Sequence, residues 1–220
     1  MPSDMKGLGP ITYAIERTFW AAQYVSPPNL LFRTRVQIHD EIQDAEQHVR
    51  EAITASRAVK IDACIVAWLV VEIATAIAVW RHPSIWRFLL FFPVFRLFEI
   101  LQAAVNLNLF DRVRMRGEVD TVSSITRTLV LSLWNFFEVM LCFGILYSLP
   151  PIRFRGNISG FDAYYFSAVT QLTIGYGDIQ PLGVAKLFVV VQGCFAFMLA
   201  LIALSRFVSL LPKAGAVFSA

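Results

Sequence analysis

The sequence predicts an all-α membrane protein, and three observations carry that expectation. Of its 220 residues 57% are hydrophobic and the mean hydropathy is +0.60, outside the range of an ordinary soluble domain. Four apolar spans follow one another: Ala63–Trp80, Ile85–Phe110, Thr128–Leu149 and Leu187–Leu211. Each is close to the roughly 20 residues a helix needs to cross a bilayer core of about 30 Å. Between the third and fourth lies Phe161–Asp178, too short to cross and therefore read as re-entrant. Non-helical backbone at that depth is allowed only where protein buries it or where it lines water.

Taken in order, residues 1–35 carry scattered Gly and Pro with aromatic pairs such as Phe19-Trp20. They read as a short interfacial or loosely ordered segment. Residues 36–60 contain neither Gly nor Pro, and Ile38, Ile42, Ala45, Val49, Ala52, Ser56 and Val59 recur at alternating spacings of 4 and 3. That pattern predicts a cytoplasmic amphipathic helix with one narrow seam. The seam suits either a solvated helix packed on its own protein or a coiled coil, weakened by its Ala and Ser. Residues 61–127 hold the first two spans and a cytoplasmic linker, residues 128–211 the rest of the membrane module, and 212–220 a tail.

Charge sets the expected orientation. Thirteen of the 19 Lys and Arg fall in residues 1–60, in the linker after Asp111 and in the tail, whereas five flank the opposite ends of the spans. This bias predicts both termini in the cytoplasm, and an integral protein of the cell membrane. Trp80 and Trp86 flank the first outer loop as interfacial anchors do. Asn157-Ile158-Ser159 on the outer side has the glycosylation acceptor pattern. The polar first 57 residues predict no signal peptide. The net charge of +3, without an aromatic-interleaved basic stripe, argues against nucleic acid. Cys64, Cys142 and Cys194 lie inside apolar runs, at spacings that suit small buried side chains better than a zinc site or disulfides. His39, His48 and His82 are isolated, and neither paired carboxylates nor a nucleophile–base set nor a phosphate-cradling glycine loop is present, so no enzyme and no cofactor is indicated.

Four ionisable residues fall inside the spans and require partners: Glu72, Arg96, Glu99 and Glu138. Arg96 and Glu99 are three apart on one helix and can pair locally, while Glu72 is a second candidate for Arg96. The alternative is a voltage sensor. Sensors repeat arginine every third residue, and one unit charge yields only about 2.3 kcal/mol per 100 mV. One Arg96, even aided by Arg87, cannot gate steeply, which favours structural pairing.

The chemistry concentrates in Thr173-Ile174-Gly175-Tyr176-Gly177-Asp178. An extended strand that alternates handedness can turn successive carbonyls to one side. Left-handed settings resist a Cβ, so Gly175 and Gly177 occupy the positions where glycine is comfortable. This run resembles the selectivity filter of potassium channel pore domains, a TVGYG loop whose carbonyls replace the ion's hydration shell. Tyr164-Tyr165-Phe166-Ser167-Ala168-Val169-Thr170 is similar to that family's pore helix, and Gly177 to Pro181 to its filter exit. The likeness covers about Thr128 to Leu211, with only a loose likeness of the first 127 residues to the extra helices some members carry. Two departures are present. Gln171 and Leu172 stand where the family has small residues or a second threonine, which alters the expected inner-cavity lining. Pro181-Leu182-Gly183 forms a link to the inner helix about three residues shorter than usual.

The resemblance implies an outer helix at 128–149, a pore helix at 161–172, a filter at 173–178 and an inner helix at 187–211. It implies a homotetramer in lipid, with K+ as permeant ion held by carbonyls of Thr173, Ile174, Gly175 and Tyr176 plus the Thr173 hydroxyl. Asp178 would tether the outer end of the filter to Tyr165. Gly193 is the one glycine in the last span and a hinge candidate, the alternative being close packing against Phe137 or Phe143. Phe197 and Leu201, one and two turns beyond, are candidates for a hydrophobic gate. Two other functions fit the same features: the membrane subunit of a potassium transporter, or a regulatory, non-conducting partner in a heteromeric channel. The single complete loop argues against the first and the intact filter against the second.

Overall fold

The structure, a computed structural model, describes residues 10–22, 47–105, 122–156 and 158–209. Among these residues are four helices long and apolar enough to cross a membrane: Ala58–Arg81, Pro83–Val105, Leu129–Tyr147 and Ala185–Ser205. The fold is an all-α membrane protein. It divides into two compact units; the described residues of the first are 10–22, 47–75 and 94–105, and those of the second 76–93 and 122–209.

In the first unit, α1 spans Pro10–Ala22. The scattered Gly and Pro suggested a loosely ordered segment, but none occurs between Ile11 and Ser26. Pro10 sits where a helix has a spare N–H in any case. Arg17 lies 5.7 Å over the Tyr13 ring one turn away. Helix α2 is continuous from Gln47 to Arg81, joining the second half of the heptad stretch to the first span without a break. At 1.5 Å per residue, its 35 residues reach about 52 Å, well beyond the hydrocarbon core. Val49, Ala52, Ser56 and Val59 of the seam are exposed, whereas Ile38, Ile42 and Ala45 lie outside the described residues. Within this unit Trp68 packs on Phe95, ring centroids 5.9 Å apart.

The expected second span is interrupted. A 3₁₀ turn at Pro83–Ile85 leads into α3 (Trp86–Leu89), and α4 starts anew at Phe91 and runs to Val105. Pro93 explains the break. It has no N–H for the Leu89 carbonyl and its ring crowds that same group. Residues 106–110 of the span lie outside the described residues, as does Asn157 of the acceptor triplet.

The second unit is built around α5 (Val122–Tyr147), α6 (Gly160–Gln171) and α7 (Ala185–Ser209). Helix α5 stops ahead of Pro150-Pro151, its end closed by the Ser148 hydroxyl donating to the Ile145 carbonyl at 2.7 Å. A two-stranded hairpin absent from the sequence reading pairs β1 (Arg153–Arg155) antiparallel with β2 (Gln180–Leu182), Phe154 opposite Pro181. Pairing across the short Pro181–Gly183 link joins the two ends of the re-entrant segment. The core here is aromatic. Phe166 of α6 meets Phe154 of β1 at 4.9 Å and Tyr147 of α5 at 5.1 Å, and Phe143 meets Phe195 of α7 at 6.1 Å. Edge-on geometries of this kind add about 0.5–1.5 kcal/mol each beyond area burial. Gly144 is required by close approach: a Cβ there would lie 2.9 Å from Cε1 and 3.1 Å from Cγ of Tyr164.

Candidate functional site

Helix α6 begins with Ser159 at its N-cap, whose backbone N–H donates to the Asp162 carboxylate. This is half of a capping box, with an acid in the first turn where the helix dipole favours one. Its other end runs straight into the six-residue motif. The orphan carbonyls of Ala168, Val169 and Thr170 accept from the amides of Leu172 at 2.9 Å, Ile174 at 2.9 Å and Thr173 at 3.1 Å. The start of the strand is thereby locked to the helix that precedes it.

From there the backbone alternates. Thr173, Gly175 and Gly177 have φ of +57°, +61° and +78°, and the residues between them do not enter the left-handed region. A Cβ on either glycine would meet nothing within 4 Å, so conformation, not crowding, selects glycine at both positions. Thr173 was not anticipated. It is the one described residue with a side chain at positive φ, and it is β-branched, for which that setting is a genuine outlier. Such strain costs on the order of 1–3 kcal/mol and persists where the surroundings over-determine it, typically at functional sites.

The outer end is tied back to the helix. The Tyr165 hydroxyl donates to Asp178 Oδ2 at 2.9 Å, the contact expected of these two residues. That accepted hydrogen bond, with partial burial and the Asp178 charge behind it, pushes the Tyr165 phenol above its usual pKa. All six residues from Thr173 to Asp178 are exposed in the single chain, including 69% of Tyr176.

Behind the strand lies a polar network that the sequence reading did not assemble. Tyr147 of α5 donates to Gln192 Oε1 of α7 at 2.8 Å. Gln192 Nε2 donates to the Ser167 carbonyl at 3.0 Å, to Ser167 Oγ at 2.9 Å and to Gln171 Oε1 at 3.0 Å. Ser167 Oγ passes its proton to the Met140 carbonyl at 2.7 Å, and Gln171 Nε2 donates to the Phe136 carbonyl at 3.3 Å. Gln192, Ser167, Gln171 and Tyr147 are all fully or nearly fully buried. Gln171 is therefore not part of an inner-cavity lining; its side chain turns back between α5 and α7. Of these two residues, Leu172 alone is exposed. The available signal was the presence of two glutamines in otherwise apolar helices.

On α7, Gly193 has nothing within 4 Å of a built Cβ, so it packs on neither Phe137 nor Phe143 within the chain. Phe197 and Leu201 follow on the same exposed side, whereas Gln192, Ala196 and Leu199 form the buried face. The intramembrane charges are buried as well: Glu72, Arg96 and Glu99 in the first unit and Glu138 in the second. Arg96 forms an ion pair with Glu99 at 2.8 Å and lies 5.7 Å over the Trp68 ring. Aromatic stacking, a neutralising acid one turn on, and burial together suit a guanidinium held in place.

Among the described residues, four membrane-length helices and a short helix feeding a strained backbone of alternating hand make up an all-α membrane protein. The comparison with known families agrees: residues 122–213 match the family model described as Ion channel. The match lies within the second unit and supports an ion-channel pore function there. No curated protein and no solved structure matches the chain.

Proposed function

We propose that the protein is the pore-forming subunit of a potassium-selective channel, assembled as a homotetramer in the cell membrane with both termini cytoplasmic. The observation that carries this reading is the alternation of left-handed φ at Thr173, Gly175 and Gly177. An extended backbone that reverses hand at every second residue turns consecutive carbonyls toward one side, as a row of cation ligands requires. Carbonyls of Thr173, Ile174, Gly175 and Tyr176, with the Thr173 hydroxyl, would replace the water shell of K+. One chain supplies one side of such a cage, so closure needs about four copies around a common axis. The exposure of Ile174 and Tyr176 in the single chain supports this, since apolar and aromatic side chains beside a filter need neighbours. Helix α6 also ends at the inner end of the strand, where its dipole favours a cation.

In this reading α7 holds the gate. Gly193 is the hinge, and Phe197 and Leu201 close the pore by dewetting. Gly193→Ala is expected to lower the open probability in bilayer recordings while selectivity stays intact; normal opening would remove Gly193 from the gate. The proposal as a whole is tested by ion flux from liposomes that contain only this protein. Passive potassium leak is expected. Coupled transport would instead favour the transporter reading, and silence the non-conducting subunit.

A further inference from the structure

We infer that Gln192 is a positioning residue for the filter: through its amide, α7 sets where α6, and hence the strand at 173–178, comes to rest. The inference rests on the pore reading above.

The geometry fixes which end of the amide points where. The Ser167 carbonyl is acceptor-only, so the atom 3.0 Å from it must be the donating nitrogen. The oxygen then faces the Tyr147 hydroxyl at 2.8 Å, which has a proton to give. Ser167 Oγ has committed its own proton to the Met140 carbonyl and so accepts from Gln192. Turning the Gln192 amide over would set its oxygen against the acceptor-only Ser167 carbonyl, so the donors and acceptors around it fix its orientation. Two N–H groups serve three acceptors, one being shared.

What these bonds hold is the last turn of α6. Ser167 and Gln171 are one turn apart on that helix, and both are bonded to the same nitrogen. The next residues, Leu172 to Ile174, hydrogen-bond to the carbonyls of Ala168, Val169 and Thr170 in that very turn. A chain of short contacts therefore runs from Gln192 through the last turn of α6 to the strained Thr173. Water cannot replace the amide, because Gln192 and Ser167 are both completely buried. Gly193 follows immediately on α7. A bend there would leave Gln192 fixed on α6 and confine the movement to residues beyond it.

The test is the reversal potential of single channels under opposed potassium and sodium solutions, for the wild-type protein and for Gln192→Leu. Reversal potential does not depend on how many channels fold, so a loss of yield alone does not move it. The wild type is expected to be potassium-selective and Gln192→Leu to lose about tenfold in the potassium-to-sodium permeability ratio, the scale of one buried group left without its partner. A Gln192→Leu channel with the wild-type ratio overturns the inference and leaves the pore reading intact. A wild-type protein that shows no potassium selectivity overturns the pore reading and the inference with it. Should Gln192→Leu give no channels at all, Gln171→Leu breaks the same link from the α6 side. Its ratio must then fall likewise, and an unchanged ratio would overturn the inference.

Discussion

Replacing Gly177 with serine isolates the backbone contribution to the proposed filter. Gly177 has φ +78°, and a Cβ built there meets nothing within 4 Å. Crowding within the chain therefore adds nothing, and the effect falls on the dihedral. A Cβ in the left-handed region costs about 1–2 kcal/mol per residue. If four strands line the pore, the conducting geometry is opposed by roughly 4–8 kcal/mol in all, where about 1.4 kcal/mol is already a factor of ten. The strand is expected to relax toward negative φ, which rotates the carbonyls on either side of residue 177 out of line. Bilayer recordings of Gly177→Ser should show potassium-over-sodium preference abolished or blurred. A variant with undiminished preference would refute the carbonyl-row reasoning, since among the described residues nothing lies within 4 Å of the added Cβ. Thr173 shows that a side chain can be held at φ +57°, but its amide and that of Ile174 are bound to the α6 terminus.

Three further outcomes follow from the packing and the charges. Gly144→Ala forces a methyl group within 2.9 Å of the Tyr164 ring, and should destabilise the folded protein by about 1–3 kcal/mol in detergent unfolding; Tyr164→Leu in the same chain should restore most of it, and simple additivity of the two changes would refute the contact. Tyr165 keeps its proton more tightly in the folded protein than in an unfolded chain, because Asp178 accepts its hydrogen bond. Its contribution to stability is thus complete below about pH 10, the usual phenol pKa, and is lost as the pH rises through the raised folded value. Tyr165→Phe should remove that alkaline slope from an unfolding series, and an unchanged slope would assign it elsewhere. Arg96→Leu removes the cation paired with Glu99, where a mid-bilayer charge costs about 2.5–3.5 kcal/mol, so Glu99→Gln added to it should recover part of the loss; a double variant as unstable as the sum would deny the pair.

Much of the membrane fold was legible because hydropathy needs no partners to be read: the spans around Ala63–Trp80, Thr128–Leu149 and Leu187–Leu211 fall within or overlap the observed helices. The glycine positions at 175 and 177 were legible for a similar reason, since left-handed backbone leaves a direct mark on residue choice. Three features were not. The break at Leu90 required weighing Pro93 against an apolar run that otherwise reads as one span. The hairpin of Arg153–Arg155 with Gln180–Leu182 joins segments about 27 residues apart in register, too short for a periodicity to show. The network of Tyr147, Ser167, Gln171 and Gln192 spans three helices, and sequence spacing gives no relative rotation between helices. Two glutamines in apolar helices marked its members without revealing that they meet.

The most direct test of the central claim is the reversal potential of the purified wild-type protein, alone in a planar bilayer, with potassium on one side and sodium on the other. The account predicts a passive current that reverses near the potassium equilibrium potential. A current that reverses near zero, or none from correctly assembled protein, would contradict it.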